Sequence, residues 1–527
     1  MLFTSFSFLF FLALLLLAYY GLGGGRQWRI LLAGSLIFYA FSGWRNLLYI
    51  GATIVSSFIA TTRMANLLER QETYLAEHRL SAAESKSYRR RVKRQRLRWL
   101  IASLAVNLGI LAVVKYTGFA ADNLARLLQP PGVVWETGGL HFLLPMGLSF
   151  YTFQVVGYTI DMYRSKTPET TERSVFRLAL FVSFFPQIIQ GPISRWADLK
   201  QTLFTPRRFC ADDFSAGLLR ALFGLGKKLL VADRLLAAVR TLTAEPEEFY
   251  GVYVLVAVFL YAVTLYADFT GGIDMTIGIA RMFGVRVTEN FRRPFYSASI
   301  AEYWRRWHIT MGTWFRDYLF YPLSLSRPLT RLGESGVKLL GKYWGRRLPV
   351  WGATMVTWLA TGVWHGASWN FVVWGGLNGV VILISQELIP LYKSFHARWA
   401  FSNTRFYHAF QVLRTFWLMC FIRSFDIYAG VGLTCRMLLS VAARFDGGRF
   451  AAAGLSPLGL TAADYVIALL AVGGMILAGR VGAAGAESRP AALPARLALC
   501  GALAVMTLVF GAYGPGYDAR QFIYNRF

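Results

Sequence analysis

Apolar runs long enough to cross a bilayer recur along the whole chain. A membrane-spanning helix needs about 20 predominantly apolar residues, and about a dozen segments approach that length. They lie near residues 1–20, 29–42, 46–62, 99–116, 141–162, 176–193, 215–232, 250–267, 350–366, 369–389, 408–424, 463–479 and 495–513. The pattern predicts an all-α polytopic integral membrane protein, in which some segments are re-entrant or interfacial.

Composition supports that class. Of the 527 residues, 55% are hydrophobic and 16% are charged, with a mean hydropathy of +0.43, whereas soluble domains carry about 25% charged residues. This argues against a soluble globular enzyme. The first apolar segment has no charged leader and no small-residue cleavage site, so it is expected to be a retained span. With no solenoid repeat or low-complexity tract, one membrane domain over residues 1–527 is the simplest expectation.

The chain is strongly basic, with 55 Lys and Arg against 28 Asp and Glu, a net charge of +27. The basic residues fall between apolar runs, which favours cytoplasmic loops near anionic lipid over nucleic-acid binding. Residues 86–98 hold eight of them and mark the cytoplasm, so the N-terminus is predicted outside. Residues 327–347 form a second basic stretch. Contact with lipid headgroups is the favoured interpretation of both, and docking of an acidic partner protein is the alternative.

A dense polar and aromatic passage interrupts the apolar sequence at residues 266–318. Ionisable groups at membrane depth are costly unless they are paired or face water, so this passage predicts a polar cavity that binds or processes something. Glu302 and Arg306 have the spacing of an ion pair on one helix face. Asp268 and Asp274 flank the pair Gly271–Gly272 and are expected to cap an interrupted helix.

Two of the six histidines have a chemical context. Four are expected to lack one, because they lie in solvated segments or near span ends without a polar cluster: His78, His396, His141 and His408. His365 stands in an apolar segment among tryptophans and glycines, and His308 belongs to the polar passage. A neutral imidazole in such a setting can act as a general base. Taken from the residues alone, packing of these side chains and a transporter without acyl chemistry remain open alternatives.

Other chemistries lack their motifs. There is no Gly-x-Ser-x-Gly, His-Glu-x-x-His or complete phosphate loop, and the stretch Gly224–Lys228 is expected to mark a helix end. The cysteines are scattered without metal-binding or disulfide spacing and are expected to be structural: Cys210, Cys420, Cys435 and Cys500. No metal site is predicted.

Several blocks, in order, carry a family resemblance. They are residues 150–154, 161–164, 184–192 and 268–318, the Trp-His-Gly at 364–366 and the ending at 522–527. Together they resemble the membrane-bound O-acyltransferase (MBOAT) superfamily, in the bacterial, alginate-type branch that acylates exported polysaccharides. D-Alanyl transferases of teichoic acids are relatives of typically shorter length. The blocks delimit an acyltransferase core over residues 140–380, whereas residues 422–426 fit the branch only loosely.

The resemblance implies a helical bundle with a transmembrane tunnel and two catalytic histidines. His365 matches the principal catalytic histidine of the family and His308 its second histidine. A sugar hydroxyl is too weak an acid to attack a thioester unaided, so His365 would remove its proton. His308 would orient or position substrate, since the neighbouring charges of Arg305 and Arg306 would hinder its protonation.

Substrate contacts are expected from Arg305, Arg306, Asn370 and Trp364. For the two arginines, ion pairing within the scaffold is the favoured interpretation and substrate contact is the alternative. Asn370, a tryptophan N–H or a backbone amide would stabilise the developing oxyanion.

The resemblance also implies the reaction and its participants. The acyl group, most simply acetyl, would come from a cytoplasmic thioester, either acetyl-coenzyme A or an acyl carrier protein, with no tightly bound cofactor. The acceptor would be an exported polysaccharide or other glycan, with extracytoplasmic acetyltransferase proteins as partners. The expected location is the bacterial plasma (inner) membrane, as a multi-pass protein in contact with lipid and not with nucleic acid. D-Alanyl transfer to teichoic acid and transport without chemistry are the alternatives.

Overall fold

A computed structural model describes residues 3–128, 144–484 and 492–513. His141, the ending at 522–527 and part of the loop at 482–495 lie outside these residues. Within them all regular secondary structure is helical, which confirms the all-α prediction. The chain forms two compact units, residues 1–214 with 280–288, and residues 215–279 with 289–527.

Among the described residues, the first unit contains eight α-helices, of which the third and fourth are much longer than the others. Its helices are α1 Phe6–Gly21, α2 Gln27–Ala40, α3 Asn46–Glu77, α4 Ala82–Leu128, α5 Leu148–Arg164, α6 Val175–Ser183, α7 Phe185–Ile188 and α8 Trp196–Leu203. Its core includes a cluster of phenylalanine rings in which Phe38 contacts Phe8 and Phe185 at 5.9 and 5.6 Å between centroids. The basic residues 86–98, expected in a loop, belong to α4.

The membrane span expected at residues 176–193 is wrong. Helix α6 ends at Ser183 because Phe184 leaves the helical conformation, with φ −51° and ψ 106°. Pro186 follows, and a proline removes a helical hydrogen bond and clashes with the preceding turn. The backbone groups released by this break find other partners: the N–H of Phe185, for example, donates to the hydroxyl of Ser35 at 3.2 Å.

Helix α9, Ala211–Gly226, leads from the first unit into the second. The further helices are α10 Asp233–Ala244, α11 Val252–Met282, α12 Ile300–Arg306, α13 Ile309–Phe315, α14 Tyr321–Ser324, α15 Arg327–Gly345, α16 Leu348–His365, α17 Trp369–Glu387, α18 Ile389–Arg398, α19 Arg405–Arg423, α20 Val431–Ala443, α21 Gly447–Ala453, α22 Ala462–Ala484 and α23 Leu493–Phe510. The second basic stretch is therefore also largely helical, as α15.

Six helices of the described residues are long and apolar enough to cross a membrane. They are α3, α4, α11, α17, residues 462–479 of α22, and α23. Two shorter apolar helices, α1 and α20, accompany them, and the sequence pattern had not indicated α20. The chain is a multi-pass membrane protein.

The interrupted helix expected at Gly271–Gly272 is wrong, because α11 runs through both residues. The glycines serve close packing. A Cβ built on Gly271 would lie 2.7 Å from the carbonyl oxygen of Gly224 in α9, so only glycine lets the two backbones approach this closely. The stretch 224–228 contains the end of α9 and the start of a π-helical turn, Lys227–Ala232.

Asp268 and Asp274 pair with lysines of that turn instead of capping a helix. The Nζ of Lys228 lies 2.6 Å from Asp268 and 2.7 Å from Asp233, all three side chains being buried. Lys227 approaches Asp274 to 2.6 Å. Pairing of this kind is what makes buried charges tolerable at membrane depth.

Candidate active site

His308 occupies a strained turn between α12 and α13. Its backbone has φ 47° and ψ 53°, a left-handed conformation that costs a non-glycine residue about 1–2 kcal/mol. The side chain is completely buried. Its ring lies edge-on to Phe269, with 4.9 Å between centroids. Tight surroundings must therefore hold the histidine in this unusual backbone conformation.

Asn290 provides much of that hold. Its backbone oxygen accepts from the N–H of Ile309 at 2.9 Å, and its side-chain oxygen accepts from the N–H and hydroxyl of Thr310 at 3.0 and 2.9 Å. Both ends of the Asn290 amide approach Nδ1 of His308, the nitrogen at 3.1 Å and the oxygen at 3.3 Å. Because the two lone pairs of that oxygen already accept from Thr310, we assign the NH₂ group as the donor to the ring. This network assigns the proton of a neutral His308 to Nε2. Sequence reasoning had overlooked Asn290, although it lies within the polar passage.

His365 is the last residue of α16. Helices α16 and α17 form a hairpin that packs backbone against backbone: a Cβ on Gly362 would lie 2.2 Å from the oxygen of Phe371, and one on Gly375 would lie 2.4 Å from the oxygen of Trp358. This close packing fixes the end of α16. His365 is partly exposed as a residue, whereas Nε2 of its imidazole is buried.

The ring of Trp364 contacts both histidines. Its centroid is 6.1 Å from that of His308 and 5.0 Å from that of His365. Two histidines that are separated by 57 positions in the sequence therefore both adjoin one buried indole. The polar passage and the Trp-His-Gly segment meet here, as a shared site requires.

A second tryptophan adjoins His365. The centroid of Trp374 lies 4.9 Å from that of His365, and its side chain is buried. Its indole N–H has no hydrogen-bond acceptor among the described residues. Leaving a buried donor unsatisfied costs about 1–3 kcal/mol, so an acceptor placed beside the imidazole would gain a favourable hydrogen bond from Trp374. The sequence analysis predicted a tryptophan N–H as a donor to the oxyanion and did not single out Trp374.

The other residues that were predicted to contact substrate have different surroundings. Arg306 pairs with Glu302 at 2.6 Å, which confirms the predicted helix-face ion pair. Arg305 is exposed to the surroundings. Asn370 donates both amide hydrogens to backbone oxygens, of Phe425 at 3.0 Å and Tyr428 at 2.7 Å, so its side chain has no donor left for an oxyanion in this arrangement. Substrate contact by these residues stays a prediction.

Arg423, a residue without an expected role, lies against Trp307 at the end of α12. Arg423 lies 4.3 Å above the ring of Trp307, pairs with Asp426 at 3.2 Å and donates to the hydroxyl of Tyr303 at 3.4 Å. Burial, and secondarily the charge of Arg423, lower the pKa of His308 to about 3. The expectation that Arg305 and Arg306 hinder protonation of His308 was therefore wrong about the source of the effect.

These side chains form a buried, aromatic-walled site with two imidazoles that differ in role. His308 is neutral, with Nδ1 occupied and its proton on Nε2, whereas His365 lies at a helix end, where part of the residue is exposed and its Nε2 is buried. One group is arranged to donate a hydrogen bond and the other can exchange a proton. The fold and site define a polytopic helical membrane protein with a two-histidine centre.

Comparison with known proteins specifies the family. The profile described as the membrane-bound O-acyltransferase family matches residues 85–333. The chain is similar to a probable alginate O-acetylase of Pseudomonas aeruginosa, with 34% identity over 392 residues, which are 74% of this chain and 66% of the relative. The chain belongs to the membrane-bound O-acyltransferase family.

Two further relatives differ in the polymer that their names specify. A peptidoglycan O-acetyltransferase of Helicobacter pylori is 28% identical over 398 residues, covering 70% of this chain and 66% of the relative. A teichoic acid D-alanyltransferase of Bacillus subtilis is 25% identical over 292 residues, covering 54% of this chain and 68% of the relative.

Proposed function

We propose that this O-acyltransferase takes an acetyl group from a cytoplasmic thioester and delivers it toward hydroxyl groups of an exported polysaccharide. The observation that carries the proposal is the pairing of His308 and His365 on the indole of Trp364. The names of the relatives support acetyl as the acyl group and a glycan as the acceptor. The similarity to the D-alanyltransferase covers less of the chain, so acetyl transfer is the preferred reaction.

The proposed chemistry assigns a separate task to each histidine. A ring nitrogen of His365 takes the proton of the attacking hydroxyl as its oxygen bonds to the thioester carbonyl carbon. The carbonyl becomes an oxyanion, and the N–H groups of His308 and Trp374 are donors suited to stabilise it. When the carbon–sulfur bond breaks, the thiolate leaves and the proton held by His365 passes to it. The products are an ester and a free thiol.

The location and partners follow from the same proposal. The enzyme would lie in the bacterial plasma membrane, with the thioester donor on the cytoplasmic side. Extracytoplasmic acetyltransferase proteins would complete the modification of the polymer. Acetyl-coenzyme A and an acetylated acyl carrier protein are the two donors to be compared.

The test uses purified protein in proteoliposomes with each radiolabelled donor outside and a short oligosaccharide acceptor inside. We expect thiol release in step with label appearing on the acceptor, for one donor only. Label that crosses the membrane without thiol release would support transport in place of transfer. Release of thiol from a D-alanyl donor, with none from acetyl donors, would replace acetyl by D-alanyl.

A further inference from the structure

The first turns of α4 carry a cationic surface on the side opposite to α3, which we call the basic face. Its five exposed side chains follow the spacing i, i+3, i+4, i+7, i+8: Lys86, Arg89, Arg90, Lys93 and Arg94. In a helix of 3.6 residues per turn this spacing places them within about 140° of arc and about 12 Å of length. The other side of the helix holds Tyr88, which stacks on Tyr74 of α3 at 4.4 Å, and the buried Val92.

The basic face is not neutralised within the described part of the chain. None of its five side chains forms an ion pair there. The acid in the same part of α4, Glu84, accepts from the N–H and hydroxyl of Ser81 at 2.9 and 2.7 Å. Like charges four residues apart destabilise a helix by about 0.2–0.5 kcal/mol per pair, and the face contains three such pairs. An external polyanion would relieve this repulsion.

The exposed surface of the α3–α4 hairpin changes from apolar to polar. On α3 the last exposed large apolar residue is Ile59, and every exposed position from Arg63 to Glu77 is polar or alanine. On α4 the same holds from Ala82 to Arg94, and the exposed large apolar residues that follow begin with Leu97, Trp99 and Ile101. Both arms of the hairpin thus leave the apolar layer of the membrane at the same end.

The distance beyond that layer decides between lipid and a soluble partner. At 1.5 Å per residue, Arg90 lies about 12 Å and Lys86 about 18 Å beyond Arg98, the last basic residue before the apolar stretch. The headgroup layer is only about 5–8 Å thick on each side of the bilayer. The Debye length at physiological salt is about 8 Å. With α4 running along the membrane normal, the outer half of the basic face therefore extends past the headgroup layer into water.

Helix α15 provides a contrast, because its exposed surface combines cations with apolar side chains. Beside its cations Lys338 and Lys342 it exposes Leu339 (83%), Leu340 (56%) and Tyr343 (52%). Cations mixed with exposed apolar side chains are typical of a helix that lies in the interface. The basic face of α4 has no such apolar residues, so the same explanation does not apply to it.

We propose that the basic face of α4 is a docking site for an acidic soluble protein that presents a row of carboxylates. The regular spacing of the five cations matches carboxylates spaced along a helix of the partner. Complementary charge of this kind accelerates encounter and makes binding sensitive to salt. Docking does not depend on the acyl chemistry, so the proposal stands independently of the proposed function.

The first test measures binding to the full-length protein in nanodiscs of zwitterionic phosphatidylcholine. The probe is a synthetic helix of about 18 residues (five turns) with glutamates at i, i+3, i+4, i+7 and i+8. Its control is an isomer of the same composition with the glutamates spread around the helix. We expect the patterned probe to bind at least about tenfold tighter and to weaken with salt. Equal affinity for the two peptides would refute the docking site.

Charge reversal locates the site. The triple variant Lys86→Glu, Arg90→Glu, Arg94→Glu should lose at least about tenfold in affinity for the patterned probe. The matched control reverses three cations of α15: Arg331→Glu, Lys338→Glu and Lys342→Glu. If the α4 reversal variant is not monodisperse, Lys86→Gln, Arg90→Gln, Arg94→Gln takes its place. Equal losses from the α4 and α15 variants would contradict the proposal.

The last arm tests contact with lipid. With the exposed cysteines removed by Cys210→Ser and Cys435→Ser, a fluorophore is attached at Ser87→Cys beside the basic face, or at Trp99→Cys as a control near the apolar layer. Nanodiscs then contain phosphatidylglycerol and lipids with a spin-labelled headgroup. We expect quenching at position 99 and little at position 87. Equal quenching at the two positions would place the basic face on the membrane and overturn the proposal.

Discussion

The side-chain amide of Asn290 lies 3.1 Å from Nδ1 of His308. The amide oxygen is 3.3 Å from the same nitrogen, but it already accepts two hydrogen bonds from Thr310, so we assign the NH₂ group as the donor to the ring. The asparagine thus determines which nitrogen of the imidazole carries a hydrogen, and it does so from a position 18 residues away in the sequence.

Replacing Asn290 by aspartate tests this relationship with almost no change in shape. A carboxylate still accepts from Thr310, but it cannot donate to Nδ1, so the proton of His308 moves to Nδ1. If Nε2–H stabilises the oxyanion, Asn290→Asp should lower acyl transfer by about 10²–10³-fold. Nitrogen NMR of histidine-labelled protein reports the tautomer directly. Unchanged activity together with a changed tautomer would remove His308 from the proposed chemistry.

His365→Ala should abolish O-acylation while the protein stays folded, because loss of a general base commonly costs about 10²–10⁴-fold. The matched control is His396→Ala. His396 lies away from the site, and its Nδ1 bonds to the backbone oxygen of Tyr392. Polymer ester content and the yield of monodisperse protein are measured for both variants. Loss of activity in proportion to loss of folded protein would mean that His365 only packs against its neighbours.

Gly366→Ala should disturb His365 without touching it. A Cβ at this position would lie 2.2 Å from two carbons of the Phe371 ring, and that ring stacks on His365 at 6.3 Å. The ring must move, and we expect activity to fall more than stability does. Gly376→Ala is the control, because its nearest atom is a methyl group of Leu359 at 3.8 Å. Equal activity of the two alanine variants would show that the position of Phe371 is unimportant.

The protein should lose stability on acidification through His308. The unfolded chain binds a proton at this histidine below a pKa of about 6.5, whereas in the folded protein burial and then Arg423 lower the pKa of His308 to about 3. The unfolded state therefore holds more protons between these values, and stability falls as pH falls through that range. From pH 7 to pH 5 the loss at this site is about 2 kcal/mol.

The variant His308→Asn separates this effect from other titrations, because asparagine also tolerates the left-handed backbone. Its free energy of unfolding should change less between pH 7 and pH 5 than that of the wild type. Denaturant titration in detergent measures both proteins. The same pH dependence in both would mean that His308 is protonated normally in the folded protein.

Topology is tested by labelling single cysteines in intact cells, with Cys210 and Cys435 replaced by serine. An impermeant reagent added outside should fail to modify Ser87→Cys, in the basic part of α4, because such segments stay in the cytoplasm. Arg45 lies at the other end of α3 and is exposed, so Arg45→Cys should be labelled. Efficient modification of position 87 alone would reverse the predicted orientation.

Most of the helices could be predicted from apolar length, since that property depends on sequence alone. The break at Phe184 could not, because the apolar pattern continues through it and only tertiary partners such as Ser35 make the open backbone acceptable. The continuity of α11 through Gly271–Gly272 was missed for the converse reason. Those glycines are needed because α9 packs closely against them, and the sequence pattern does not show which helix will be the neighbour.

In the site, the two histidines were predicted from their residue type and surroundings together with the family resemblance. Their supporting residues were not. Asn290 and Arg423 act through partners that are distant in sequence, His308 and Trp307, and neither position has an unusual local pattern. Asn370 has a structural role that its place beside the motif did not indicate: its amide donates to the backbone oxygens of Phe425 and Tyr428.

The length of α4 has a practical consequence for imaging. A small membrane protein embedded in a detergent micelle is hard to align in cryo-electron microscopy when nothing protrudes from the micelle. Helix α4 has 47 residues, about 70 Å at 1.5 Å per residue, and with α3 it forms a two-helix rod whose tip carries the stacked rings of Tyr74 and Tyr88. That rod offers both an alignment mark and a rigid epitope for an antibody fragment.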